Sequence, residues 1–334
     1  MARCAKPQVA SHFGRRINLS EPPSNIDVLL AGRSTKAMND SSLPPSAGVH
    51  ASRVPSREQW SWRLLRAGSF RLDGGGMFGV VPKTIWSRMA QSDDENRILL
   101  QTNCLLLENE STKVLIETGF GGKWTDKERG FYDIERRTIV DALREINIEP
   151  AQIDHVVLTH LHFDHAAGLT SLNSDGEAVP VFPNARIFVQ KQEWEDALAN
   201  KSTMSRTYLR NHLDPIADRV QLIQGAQDDL PGLPGISVWP MPGHTWGQQA
   251  VRFRDESGVV SFVGDVIPTA NHVGLSFSIG YDMLPYENML RKKELLQRAE
   301  AEGWRIALDH EPGEPVVRVR KSADRPGQFE LAKA

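Results

Sequence analysis

The segment Thr159-His160-Leu161-His162-Phe163-Asp164-His165-Ala166-Ala167-Gly168 limits what this chain can fold into more than any other stretch. It packs four side chains able to bind a metal into six residues, directly after the apolar run Ile153-Asp154-His155-Val156-Val157-Leu158. A run of that kind reads as a buried strand, because its branched side chains suit a pleated sheet covered on both faces. On extended backbone, residues two apart point the same way, so His160 and His162 can offer imidazoles to one ion as the strand ends. Asp164 and His165 fall where the chain turns, and Gly168 lets it turn tightly, so these two can address a second ion. Burying four such groups without cations would be costly.

About four ligands per zinc-like ion means that two ions need further groups. Three more strand ends supply them. Met241-Pro242-Gly243-His244-Thr245-Trp246-Gly247 follows an apolar strand and presents His244 between two glycines. Phe262-Val263-Gly264-Asp265 offers a carboxylate whose two oxygens can bridge two cations, and Leu308-Asp309-His310-Glu311-Pro312 offers His310.

The rest of the sequence reads as an α/β protein. Strands are expected at Ser69–Asp73, Gln101–Glu108, Thr112–Glu117, Ile153–Thr159, Arg186–Gln190, Val220–Ile223, Ile236–Met241, Ala250–Arg254, Val259–Val263 and Arg305–Leu308. Asn109-Glu110-Ser111 reads as a hairpin turn and Gly74-Gly75-Gly76 as a Gly-rich turn. Helices are expected at Thr138–Ile146, Lys191–Ala199, Ser205–His212 and Tyr286–Glu302. Residues 1–57 carry eight basic against three acidic residues, are rich in Ser and Pro, and show neither helical nor strand period. They read as a disordered leader, with a transit segment or an upstream misassigned start as alternatives; residues 58–334 read as one folded α/β domain. The apolar Trp60–Leu65 stretch either packs on the core or serves a homodimer.

A formal net charge of -3 gives no global basic excess, so nucleic acid is not expected as a partner. No run reaches the roughly 18 to 20 apolar residues that a bilayer span requires. Cys4 and Cys104 do not make a disulfide framework, and with no apolar export segment after Arg15-Arg16 the expected location is the cytoplasm.

These motifs closely resemble those of the metallo-β-lactamase-fold hydrolase superfamily: His-x-His-x-Asp-His, then Pro-Gly-His-Thr, then Gly-Asp, then a late His. The resemblance spans roughly residues 69–319 and implies a four-layered αβ/βα sandwich with metals at the edge of its two sheets. It implies that His160, His162 and His244 hold one ion, that Asp164, His165 and His310 hold the other, and that Asp265 bridges them. Two divalent cations, with zinc as the expected metal, would supply hydroxide at neutral pH and polarise a carbonyl. Asp164 would carry the proton to the leaving group. Where many members have Asp-Thr-Gly, this chain has Glu117-Thr118-Gly119, a change expected to tune ligand orientation. His162 stands where the di-iron oxidoreductases of this fold usually have a carboxylate, which turns the reading away from redox chemistry.

Within the superfamily, the segments around Asp73–Lys83, Glu117–Lys123 and Gly264–His272 look like the branch of quorum-quenching N-acyl-homoserine lactonases. The expected substrate is a small ester or lactone, with Met77, Phe78 and His272 as candidate contacts; Met77 and Phe78 fit ordinary core positions equally well. Known lactonases place a tyrosine three residues after the bridging Asp, whereas this chain has Pro268, leaving His272, Tyr281 or Tyr286 as stand-ins or as structural residues. A thioesterase, an organophosphate or phosphotriester hydrolase on the same ligands, and a non-enzymatic zinc-binding sensor are the alternatives.

Overall fold

The computed structural model describes residues 59–203 and 206–334; the expected leader 1–57 lies outside the described residues. The first sheet is assembled from β1 (Ser61–Asp73), β2 (Arg97–Glu108), β3 (Lys113–Ile116) and β4 (His155–Val157), followed, after a small hairpin of β5 (Thr170–Leu172) and β6 (Ala178–Pro180), by β7 (Arg186–Gln190) and β8 (Val220–Ile223). Its order is β1-β2-β3-β4-β7-β8. The second sheet has β9 (Ile236–Pro240), β10 (Gln249–Asp255), β11 (Gly258–Phe262), β12 (Arg305–Ala307), β13 (Val316–Lys321) and β14 (Phe329–Lys333), in sequential spatial order. The helices are α1 (Gly74–Phe78), α2 (Lys83–Trp86), α3 (Asp126–Tyr132), α4 (Ile139–Arg144), α5 (Phe163–Ala166), α6 (Lys191–Leu198), α7 (Arg210–Leu213) and α8 (Pro285–Glu302).

Strand alternation explains the layering. In β2, Cys104 and Leu106 face a cluster completed by Ile139, Ala142 and Leu143 of α4, while Leu105 and Leu107 face Val238, Val251, Phe253 and Phe262 of the other sheet. Side chains on a strand point alternately to opposite faces, so a strand apolar on both faces is covered on both. Leu115 and Val156 divide from Val114 and Val157 in the same way. On the far side of the second sheet, Leu295, Leu296 and Ala299 of α8 close a third cluster over Ala250, Ile306, Val317 and Val319. Three apolar interfaces thus separate four layers, helix, sheet, sheet, helix, as the αβ/βα reading expects.

Several local expectations shift. β1 begins at Ser61, earlier than expected, and Trp60 and Leu65 are buried in the core. Gly74-Gly75-Gly76 opens α1, with the Asp73 carboxylate accepting from Gly76 N at 2.7 Å as its cap. The expected helix over 205–212 is reduced to Arg210–Leu213 among the described residues. β13 and β14 were not anticipated; Val316–Lys321 alternates charge with valine, the pattern of a strand half covered by α8. The Asn109–Ser111 hairpin forms, held by Asn109 Oδ1 accepting from Ser111 N and Thr112 N. No helix among the described residues is long and apolar enough to cross a membrane.

Candidate metal centre

β4 ends at Val157, and the chain leaves the sheet carrying His160 and His162 before α5 starts at Phe163 with Asp164 and His165 in its single turn. Gly168 sits against Thr118 O, where a Cβ would overlap the carbonyl, so glycine is required for close approach. Its φ is not positive, so the tight packing and not an unusual backbone angle explains the residue. From the second sheet, His244 follows β9, Asp265 follows β11 and His310 follows β12. All seven side chains are almost fully buried.

They converge. One potential ligand atom each from His160, His162 and His244 lies within 4.8 Å of the other two, and the same holds for His165, Asp265, Asp309 and His310. Asp265 joins the groups: Oδ2 is 2.9 Å from His244 Nε2 and 3.9 Å from His160 Nε2, while Oδ1 is 3.2 Å from His310 Nε2 and 3.9 Å from His165 Nε2. Asp164 faces the second group, with Oδ2 3.5 Å from His310 Nε2 and Oδ1 3.8 Å from His165 Nε2. Asp309 was not singled out in the sequence, although it stood beside His310; its Oδ2 lies 3.8 Å from His310 Nε2.

The donor set fits two cations. His160 Nε2, His162 Nε2, His165 Nε2, His310 Nε2, Asp265 Oδ1 and Asp309 Oδ2 are buried with no hydrogen-bond partner among the described residues. Buried polar atoms left unpaired are expensive, and so many aimed at one place is what a metal centre requires. The electrostatics agree. Burial lowers the basicity of His160 and His162, which stay neutral as ligands must. Burial also opposes charge on His165 and His244, but Asp164, Glu117 and Asp265 raise the first to about 9 and Asp265 with Asp282 raises the second to about 10. The field there favours a positive charge, whether proton or metal ion.

Outer partners aim the ligands. His244 Nδ1 is 2.9 Å from Asp282 Oδ1, and His310 Nδ1 is 2.9 Å from Gln101 O. Glu117 holds a left-handed φ of 66°, places Oε2 3.2 Å from His165 Nδ1 and accepts from Thr159 N with Oε1 at 2.7 Å. Glu193 links the two ligand loops: its carboxylate accepts from Leu161 N at 2.9 Å, Tyr208 Oη at 3.0 Å and Thr245 Oγ1 at 2.6 Å. Asp282 and Glu193 carried no signal in the sequence, since each acts across a fold that only the tertiary structure closes.

A cleft of about 470 Å³ opens over the centre, lined by His162, Asp164, His244, Asp265 and His310 at its floor and by Leu72, Met77, Tyr132, Phe163, Ile279 and Tyr281 on its walls. Met77 therefore lines the cleft, whereas Phe78 and His272 do not. Phe78 is fully buried and stacked between Trp86 and His272, with ring centroids 5.4 and 4.7 Å away. His272 Nε2 lies 2.8 Å from Met77 O and its Nδ1 2.8 Å from Thr269 Oγ1, so the ring is occupied in holding the wall together. Tyr286 is exposed on α8 and is not among the lining residues. Of the three stand-ins for the missing tyrosine, Tyr281 alone reaches the cleft.

A two-sheet sandwich with a histidine and carboxylate centre at its edge is the architecture of the metallo-hydrolases. Residues 97–310 match the metallo-beta-lactamase superfamily, and the chain belongs to that family. It is similar to an N-acyl homoserine lactonase of Bacillus thuringiensis, 29% identical over 164 residues, which cover 46% of this chain and 58% of the relative. The chain thus spans little more than half the length of that relative. A lactonase of the same name from Bacillus sp is 28% identical over 209 residues, 58% of this chain and 76% of the relative. Among solved structures, a probable metal-dependent hydrolase from Staphylococcus aureus superposes with a TM-score of 0.71 at 28% identity, covering 83% of this chain and 98% of that one.

Proposed function

We propose that this protein is a dinuclear metal hydrolase that opens lactones, N-acyl-homoserine lactones in the first place, with zinc as its metal. The observation that carries the reading is Asp265, whose two oxygens face two separate histidine groups at the floor of one cleft. His160, His162 and His244 would hold one ion and Asp164, His165 and His310 the other, with Asp265 shared. Divalent ions so held supply hydroxide at neutral pH and stabilise charge on a carbonyl oxygen. The chain's own contribution is to bind and orient. Leu72, Met77, Ile279 and Phe163 offer apolar surface to the non-reacting part of a substrate, excluding water from the reacting ester. Asp164 stands at the floor beside His165 and His310, where its carboxylate can take a proton and pass it to the leaving alkoxide. The names of the curated relatives support the lactone as substrate, and the domain that does this work is proposed as residues 58–334.

The test is proton release in weak buffer with a pH indicator when metal-loaded protein meets a long-chain N-acyl-homoserine lactone. Acidification is expected from the wild type and a loss of at least about a hundredfold from His162→Ala, which removes one ligand. If protein shown to hold two metals per chain releases no proton, the lactone is rejected, and thioesters and phosphotriesters become the substrates to try.

A further inference from the structure

We infer that Glu193 is a positioning residue that sets the affinity of the first ion separately from that of the second, by fastening together the two loops that carry His160, His162 and His244. The inference rests on the dinuclear reading above and goes beyond it, because it assigns the retention of one ion to a side chain outside both ligand groups.

The three histidines come from different sheets. His160 and His162 follow β4 of the first sheet and His244 follows β9 of the second, so an ion held by all three needs the two loops in register. Behind the ligands, Gln249 N donates to Thr159 O at 3.0 Å. Level with them, the Glu193 carboxylate makes the link. Its Oε1 accepts from Leu161 N, between His160 and His162, at 2.9 Å, and its Oε2 accepts from Thr245 Oγ1, next to His244, at 2.6 Å. Tyr208 Oη donates to Oε1 at 3.0 Å, and the tyrosine ring lies 5.0 Å from the His162 ring, centroid to centroid. The loop after β9 also rests directly on Glu193, since a Cβ at Gly247 would overlap its backbone N and Cα.

Stability alone does not account for this carboxylate. Glu193 is fully buried in the first turn of α6 and has no cation partner among the described residues. Burial raises its pKa, and the bonds from Thr245, Leu161 and Tyr208 only partly oppose that rise. An apolar side chain of similar volume would avoid the cost of burying a carboxyl. What an apolar side chain lacks is the ability to tie one loop to the other. The second ion's ligands are fastened by different bonds: Thr118 Oγ1 donates to His165 O at 2.6 Å, and Gln101 N donates to His310 O at 3.2 Å. Glu193 takes part in neither, so its influence is confined to the first group.

The experiment titrates cobalt(II) into metal-free wild type, Glu193→Gln, Thr245→Val, the double variant and Thr118→Val. Competition with a chelator gives the two dissociation constants, and the melting temperature of each metal-free protein is recorded. His162→Ala and His310→Ala, each lacking a ligand of one ion, identify the visible absorption that belongs to each ion. Thr245→Val keeps the side-chain shape and removes the donor to Glu193; the first ion is expected to bind about tenfold more weakly, while the second changes less than threefold. Glu193→Gln, whose amide has one acceptor oxygen for three donors, should do the same. The double variant should fall short of the hundredfold loss of two independent effects, since both changes break one link. Thr118→Val should show the reverse pattern, weakening the second ion. If Glu193→Gln and Thr245→Val lower both affinities equally, or neither, the proposal is overturned while the dinuclear reading stands. A wild type that takes up fewer than two ions overturns both.

Discussion

His212 shows how a single buried side chain can be read for its charge. It is almost fully buried beside Trp124, and burial first, then the nearby Lys123 ammonium, holds its pKa down to about 3. In the unfolded chain a histidine titrates near 6.5. Between those values the unfolded state binds a proton that the folded state refuses, so stability rises with pH and is lost as pH falls below about 6.5. From pH 7 to pH 5 that loss amounts to about 2 kcal/mol for this residue, since one proton contributes at most about 1.4 kcal/mol per pH unit. His212→Phe keeps a ring in the site and removes the titration. Urea unfolding of metal-free protein should therefore show the variant losing about 2 kcal/mol less than the wild type over that interval, and equal losses would refute the assignment. The same scale shows what sequence patterns miss. The imidazoles of His160, His162, His165, His244 and His310 stand in recognisable motifs, but nothing local distinguishes His272, which holds a cleft wall, from a substrate contact. Its role is set by Met77 and Thr269, one of them 195 residues away.

At the scale of elements, the site depends on what happens just past the strands. Apolar runs announced β2, β4, β7 and β11, because strands covered on both faces need unbroken hydrophobicity. The edges were harder: β13 and β14 are short, part-exposed and rich in charge, so their pattern hardly differs from loop. Likewise α1 was hidden in three glycines, poor helix formers whose helix is imposed by the Asp73 cap and by packing. The turn after α5 is the element on which the metal motif hinges. Gly168 N donates to Gly119 O at 2.9 Å and Thr118 N donates to His165 O at 3.0 Å, stitching the histidine-bearing turn to the end of β3. A methyl group at Gly168 would meet Thr118 O, and backbone on both sides leaves no flexible atom to yield. Gly168→Ala is therefore expected to destabilise the protein by more than about 2 kcal/mol and to weaken metal binding at least tenfold. Urea unfolding and competition with a chelator would measure the two effects, and wild-type values for both would show that the turn has more room than its contacts indicate.

Across the whole molecule the ligands are divided between the two sheets. His160, His162, Asp164 and His165 come from the end of β4, while His244, Asp265 and His310 come from β9, β11 and β12. Cations at the centre would then tie together halves that also meet through the apolar cluster of Leu105, Phe188, Phe253 and Phe262 and through hydrogen bonds such as Gln101 N to His310 O at 3.2 Å. Because the assembled ligand set exists only in the folded state, free metal stabilises that state by mass action, by about 4 kcal/mol for each ion when metal exceeds its dissociation constant a thousandfold. For a domain of this size that corresponds to a rise in melting temperature on the order of 10 °C. Titrating metal into chelator-treated protein should raise the melting temperature in proportion to the logarithm of free metal. The transition should remain single, since both sheets lose the shared ligands together. Asp265→Asn leaves both histidine groups in place but removes the charge of the shared carboxylate, and should shift the rise to higher free metal. A melting temperature indifferent to metal would mean that the apolar interface and the hydrogen bonds across it join the halves unaided, and that the buried imidazoles are tolerated without a cation.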